Sequence, residues 1–262
     1  LVCGVSTLKQ ANMFLSGIVP LVLLVVHSLE ASPVEPLAPI IGGSNVEDKK
    51  VPYLVSITVN SFVCGGSIIA DRWILTAAHC VKRNMVKNAA VRVETNNFTA
   101  SGTLYRIDRA IAHEKYFRGA FRDDVGLLRL RSPLKFGERV KKIELLSQIV
   151  PYNATLTLVG RGYISKDNKT TKITQMIKAK NIALKLCRKM QPDFIYPGHL
   201  CTFVKKGKGT CSGDSGGPVV WYGRQVGIVS WSKGCGAGYF DVHSRISYFL
   251  PWIKATIAAN SD

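Results

Sequence analysis

The sequence predicts an all-β fold, a barrel or a sandwich, with a single helix near its C-terminal end. Three observations carry that prediction. After Gly43 the chain runs as short apolar stretches, many of them β-branched or aromatic, separated by turn residues. No Pro- or Gly-rich linker, internal repeat or heptad pattern divides the 262 residues, so two halves would pack directly on each other. Apolar residues make up 47% of the chain, enough for a full core without metals or repeats.

The first 39 residues stand apart. Met13 to Val26, MFLSGIVPLVLLVV, is an apolar run of 14 residues followed by small residues at Ala31 and Ser32. A spanning helix needs about 20, so residues 1–31 read as upstream sequence and a secretory signal peptide cut near Ala31, not as a membrane anchor. Residues 32–39 then form a short propeptide, and residues 40–262 the mature domain. The strand candidates follow in order: YLVSITVN from Tyr53, FVCGGSIIA from Phe62, WILTAA from Trp73, VRVET from Val91, VGLLRL from Val125, ATLTLVG from Ala154 and QVGIVSW from Gln225. The helix is expected over Ser247–Ala259. Pro251 is placed in its first turn, and Trp252, Ile253 and Ile257 on one face.

Cys3 falls in the discarded segment and leaves Cys64, Cys80, Cys187, Cys201, Cys211 and Cys235. An even number in a secreted chain implies disulfides, and six cysteines allow fifteen pairings. None has the paired spacing of a zinc site, so neither a metal nor a cofactor is expected. Sequons at Asn97, Asn153 and Asn168 fit surface loops of a secreted glycoprotein. Residues 1–39 hold one base and two acids, which leaves 34 Lys+Arg against 15 Asp+Glu in the rest. Such an excess suits acidic substrates, glycosaminoglycans or membrane surfaces, whereas scattered charge serves solubility alone. The densest basic run near the candidate site is VKKGKG, Val204–Gly209.

Three stretches can supply a nucleophile, a base and an orienting acid. LTAAHC ends an apolar strand with His79; DDVGLLRL opens another with Asp123 and Asp124; GDSGGP carries Ser215 among glycines. A serine hydroxyl is a weak nucleophile unless a base takes its proton and a carboxylate orients that base. Each residue alone has a plain explanation as core histidine, strand cap or turn residue. Their joint occurrence favours acyl-transfer chemistry.

With IIGG, LTAAHC, DDVGLLRL, GDSGGP and SWSKGCG in this order, the chain from Ile40 to about Ala259 resembles a chymotrypsin-family serine endopeptidase. The resemblance implies two packed six-stranded antiparallel β-barrels with the site in the cleft between them. It implies Ser215 as nucleophile, His79 as general base and then acid, and Asp124 as the group that holds the imidazole. The amides of Gly213 and Ser215 would form the oxyanion hole. It further implies the pairs Cys64–Cys80, Cys187–Cys201 and Cys211–Cys235, and an activation step in which the freed ammonium of Ile40 pairs with Asp214. Pro39 stands where zymogens cut by trypsin-like enzymes carry Arg or Lys, so a different processing enzyme is implied.

The same resemblance assigns Gly209, Ser230, Trp231, Ser232 and Asp241 to the specificity pocket. A glycine floor with an aspartate on the wall is similar to the brachyurin-type collagenolytic proteases, which accept basic and apolar residues. His243 could pair with Asp241 and mute its charge, and Asp241 is alternatively a buried structural acid. Arg161 replaces a tryptophan common in the family. The expected partners are protein or peptide substrates and protein protease inhibitors, with no nucleic acid, acting on a secreted monomer. The rival reading is a catalytically idle relative that binds polyanions or a partner protein.

Overall fold

The computed structural model of the chain describes residues 40–59, 62–81, 85–94, 102–162, 173–191 and 194–261. The expected signal peptide and propeptide, and the sequons at Asn97 and Asn168, lie outside the described residues. In chain order the strands are β1 (Ser44–Asn45), β2 (Leu54–Val59), β3 (Phe62–Ile68), β4 (Trp73–Thr76), β5 (Ala89–Arg92), β6 (Leu104–Ala112) and β7 (Gly126–Leu130). There follow β8 (Glu144–Leu145), β9 (Thr155–Gly160), β10 (Gln175–Ile182), β11 (His199–Phe203), β12 (Pro218–Trp221), β13 (Arg224–Ser232) and β14 (Asp241–Arg245). Among the described residues three α-helices accompany them: α1 (Met85–Asn88), α2 (Leu184–Met190) and α3 (Ile246–Ala258).

Six strands close the first barrel in the order β2-β3-β4-β7-β6-β5, every pair antiparallel. The second ring runs β9-β10-β11-β14-β13-β12 and closes where β12 meets β9. The two-residue strands β1 and β8 add to its outside through β10 and β13. Closure leaves no free sheet edge within either ring. The first core gathers Ile57, Ile74, Leu75, Ile107, Leu127 and Leu128, the second Leu156, Leu158, Ile177, Leu200 and Val219. Each such buried side chain contributes about 1.5–3 kcal/mol of burial energy.

All seven strand candidates fall on strands. Among the described residues seven more were hidden: five barrel strands and the two-residue β1 and β8. β10 reads QMIKAKNI and alternates as a strand should, but two of its core-facing positions are Gln175 and Asn181. Asn181 is accommodated because its Nδ2 donates to the carbonyls of Val150 and Pro151 at 3.1 and 2.8 Å. The C-terminal helix forms as expected, one residue earlier at each end. Pro251 is its sixth residue, in the second turn and not the first. It there forfeits one i→i−4 bond that proline cannot donate. Ile246, Phe249 and Ile253 of α3 pack into the core of the first barrel, so the chain end straps the two barrels together. No helix among the described residues is long and apolar enough to cross a membrane.

Ile40 is fully buried in the second core beside Leu158 and Val219, and its φ is +54°. A β-branched residue at positive φ is strained.

Candidate active site

The site begins where β4 ends. Thr76 donates its hydroxyl to the Gly65 carbonyl at 2.9 Å, and a 3-10 turn, Ala78–Cys80, carries His79 out of the barrel wall. The Cys64–Cys80 disulfide ties that turn to β3. Both sulfurs lie close to the His79 ring but are bonded to each other, so the group offers no thiolate to a metal.

Asp124 precedes β7 and is wholly buried. Its Oδ1 accepts the His79 backbone N–H at 2.9 Å, and its Oδ2 accepts the ring Nδ1 at 2.8 Å. A third donor, the Ser230 hydroxyl, also reaches Oδ2. A carboxylate only accepts, so the ring hydrogen sits on Nδ1 and the neutral imidazole keeps its lone pair on Nε2. The Ser244 hydroxyl donates to the Asp124 carbonyl at 2.6 Å and fixes the same peptide. Phe121 stands edge-on to the imidazole with ring centres 5.9 Å apart.

Ser215 lies on a loop held from both barrels. Its carbonyl accepts Gly65 N–H at 2.8 Å from the first barrel, and Gly216 N–H donates to Val229 at 2.8 Å in the second. Glycine is required at 216: φ is +81°, and a Cβ there would stand 2.2 Å from the Thr76 hydroxyl oxygen. Gly213 has φ +93° and would drive a side chain into Gly162. Among the described residues, the amides of Gly213 and Ser215 have no acceptor, which leaves both free for an oxyanion. His79 and Ser215 line one cleft of about 600 Å³ between the barrels. No hydrogen bond joins their side chains, as is common in a resting site.

Ser230, Trp231 and Ser232 line the same cleft, whereas Gly209 and Asp241 do not. Asp241 is 5% exposed, and its Oδ2 accepts the Thr210 N–H at 2.9 Å. A side chain at Gly209 would collide with that carboxylate. Burial pushes the Asp241 carboxyl up to about 7. His243 does not pair with it. Its Nε2 shares a 2.8 Å hydrogen bond with the Thr202 hydroxyl, and burial drives the imidazole down to about 3, so it is neutral. Arg161 is buried where the barrels meet, donating to Thr174 Oγ1 at 2.6 Å and to Ser56 Oγ at 3.0 Å.

Asp214 is wholly enclosed. Its oxygens accept Gly162 N–H at 2.8 Å and Cys211 N–H at 2.9 Å, and burial pushes the carboxyl up to about 7. The remaining disulfides are Cys187–Cys201, which pins α2 to β11, and Cys211–Cys235, which ties the Ser215 loop to the loop after β13. Asn153, the one described sequon asparagine, is exposed at φ +62°.

Two contacts escaped the sequence. Ser230 reads there only as a pocket residue, yet it bonds Asp124 because the register of β13 slips between Val229 and Trp231. The Tyr196 hydroxyl accepts Asp123 N–H, and nothing in either local stretch signals that meeting.

A trypsin family model matches residues 40–253. Trypsin V-B of Rattus norvegicus is 36% identical over 227 residues, 84% of this chain and 90% of the relative. Anionic trypsin of Canis lupus familiaris is 34% identical over 247 residues, covering 92% and 98%. A solved structure of neuropsin, a serine protease expressed in the limbic system of mouse brain, superposes with a TM-score of 0.77 at 27% identity. It covers 82% of this chain and 99% of its own. The chain belongs to the trypsin family. Its activity is that of a serine endopeptidase, a hydrolase of peptide bonds.

Proposed function

We propose that Ser215 attacks the scissile carbonyl while His79 Nε2 takes its proton. The amides of Gly213 and Ser215 hold the oxyanion as the Oγ–C bond forms. His79 then returns the proton to the leaving amine as the C–N bond breaks, and water hydrolyses the acyl-enzyme by the same steps. The bond from His79 Nδ1 to a buried Asp124, in the cleft that Ser215 lines, carries this reading. The products are those of a secreted, disulfide-bonded protease domain spanning residues 40–262, acting on proteins or peptides and open to protein inhibitors.

The pocket is proposed to take both basic and apolar side chains, like that of the brachyurins. The Asp241 carboxylate fills the space beside Gly209 and lies just beyond Thr210, which lines the cleft, within reach of a long cation once Thr210 gives way. Maturation is proposed to follow a cut before Ile40. The new ammonium would then pair with Asp214, which among the described residues meets amides but no cation. A buried ion pair of this kind serves better as a switch than as a source of stability.

One assay series tests all three proposals. Processed wild type should cleave peptide amides with Arg, Lys, Phe or Leu before the scissile bond. Ser215→Ala should be idle and refractory to an active-site serine reagent. Asp214→Asn should be folded but nearly inactive. Reagent labelling that survives Ser215→Ala overturns the nucleophile, and no cleavage after Arg or Lys disposes of the carboxylate in the pocket. Full activity in Asp214→Asn refutes the switch, while a wild type that neither cleaves nor labels would make the chain an idle relative.

A further inference from the structure

The acids of this chain are unevenly placed. Among the described residues from 151 to 261 there are two, Asp214 and Asp241, and both are buried. The outer surface built by those residues therefore shows no acid, while Lys178, Lys180, Lys205, Lys206 and Lys233 are all exposed on it. Among the described residues none of these lysines meets a carboxylate. The ion pair made from this half, Arg224 with Glu144, borrows its acid from outside.

The lysines form a track. Lys178 and Lys180 take successive outward positions on β10, about 7 Å apart along the strand. Lys180 pairs in register with Phe203 on β11, so the line of that ladder leads from Lys178 to Lys205 just past the end of β11. There the chain turns tightly, with Lys208 N–H donating to the Lys205 carbonyl at 3.0 Å and Gly207 at φ +84°. The turn needs only its glycine, yet the other three positions are lysines. Gly207 N–H donates to Gly236 at 2.7 Å and pins the turn to the loop after β13, where Lys233 stands 4.9 Å from the centre of the Tyr239 ring. Ser232 and Gly234, on either side of Lys233, line the cleft. Like charges held this close repel one another, and no acid of the described chain relieves them.

We propose that this track, from the outer face of β10 over the Lys205–Lys208 turn to Lys233, binds a sulfated polysaccharide. Lysine presents point charges, which suit a densely sulfated flexible chain. Among the described residues no exposed ring lies among Lys178, Lys180, Lys205 and Lys206; the exposed Tyr239 ring at the far end already carries the Lys233 ammonium, so the track offers no run of rings to stack on bases and no apolar ridge to enter a bilayer. Three disulfides mark an oxidising, extracellular setting, where such polysaccharides are the abundant polyanions. Lys178, Lys180, Lys205 and Lys206 lie outside the cleft that His79 and Ser215 line, so they can hold the enzyme on a matrix while only the far end of the track, at Lys233, borders the cleft.

The test uses heparin as the probe and the full chain. In one variant Lys178, Lys180, Lys205 and Lys206 become Gln; in a second of equal charge loss, the exposed Lys87, Lys135, Lys141 and Lys142 do. The first should elute from immobilised heparin at clearly lower salt and bind at least tenfold more weakly. Its salt dependence should flatten, because each charge contact releases about one counterion. Hydrolysis of a short peptide amide and the melting temperature should not change, and the second variant should stay close to wild type. Equal losses in both variants, or none in the first, overturn the proposal. So does tighter binding to duplex DNA or to phosphatidylserine vesicles than to heparin, which would hand the track to nucleic acid or to a membrane.

Discussion

Asp124 makes three hydrogen bonds with two oxygens, from the His79 backbone, the His79 ring and, far along the chain, the Ser230 hydroxyl. Replacing it by Asn keeps the shape but puts an amide where only an acceptor works. The amide N–H facing Nδ1 would move the ring hydrogen to Nε2 and leave the base without its lone pair. Asp124→Asn is therefore expected to lower kcat about 10⁴-fold with little change in KM or melting temperature. Steady-state kinetics beside a thermal melt will check it; a loss confined to KM would count against the orienting role. His79, Asp124 and Ser215 were legible because each sits in a short stretch whose residue types have few other uses. Ser230 was not, because its role follows from a slip in strand register that leaves no mark on composition.

The strands show the same division. β2 and β4, LVSITV and WILT, bury almost every residue and announce themselves as apolar runs. β6, LYRIDRAIA, has three charged residues, one of which, Arg129's partner Asp108, accepts from that guanidinium at 2.9 Å across the pair with β7. β14, DVHSR, buries an acid, an imidazole and a serine that are each held by hydrogen bonds, so hydropathy points the wrong way. Helix α2 is short and makes its main core contact through Cys187, which the disulfide joins to β11 across 14 residues. On the chain-entropy account, closing a loop of this size is worth about 3 kcal/mol. Changing Cys187 and Cys201 together to Ser should lower the melting temperature by several degrees. An unchanged melt would mean that α2 holds its place without the bond.

At the scale of the whole molecule, four buried titrating groups oppose one another. Burial pushes Asp214 and Asp241 up to about 7, against about 4 in the unfolded chain. Between those values the native state keeps protons that the unfolded state has lost, so raising the pH weakens the fold. Burial drives His199 and His243 down to about 4 and about 3, against about 6.5 unfolded. From about pH 4 to 6.5 the unfolded state therefore holds protons the native state lacks, and raising the pH strengthens the fold. Two groups act in each direction, so the stability of the unprocessed chain should be nearly flat across that window. Asp241→Asn should tilt the profile upward with pH, and His243→Gln should tilt it downward, by as much as about 1.4 kcal/mol per pH unit. Urea midpoints measured from pH 4 to 6.5 decide this, and parallel profiles for parent and variants would sink it. None of this balance could be read from the sequence, since it depends on which side chains end up without water.

For the maturation cut proposed above, Ile40 is an awkward target. Its contorted backbone angle exists only while the bond to Pro39 is intact, so severing that bond releases the tension outright. The same residue hides in the second barrel's interior, where no foreign blade can grip it. If the proposed cut before Ile40 is made, its pace is set by how often this segment breathes outward, and any condition that loosens the second barrel should hasten it.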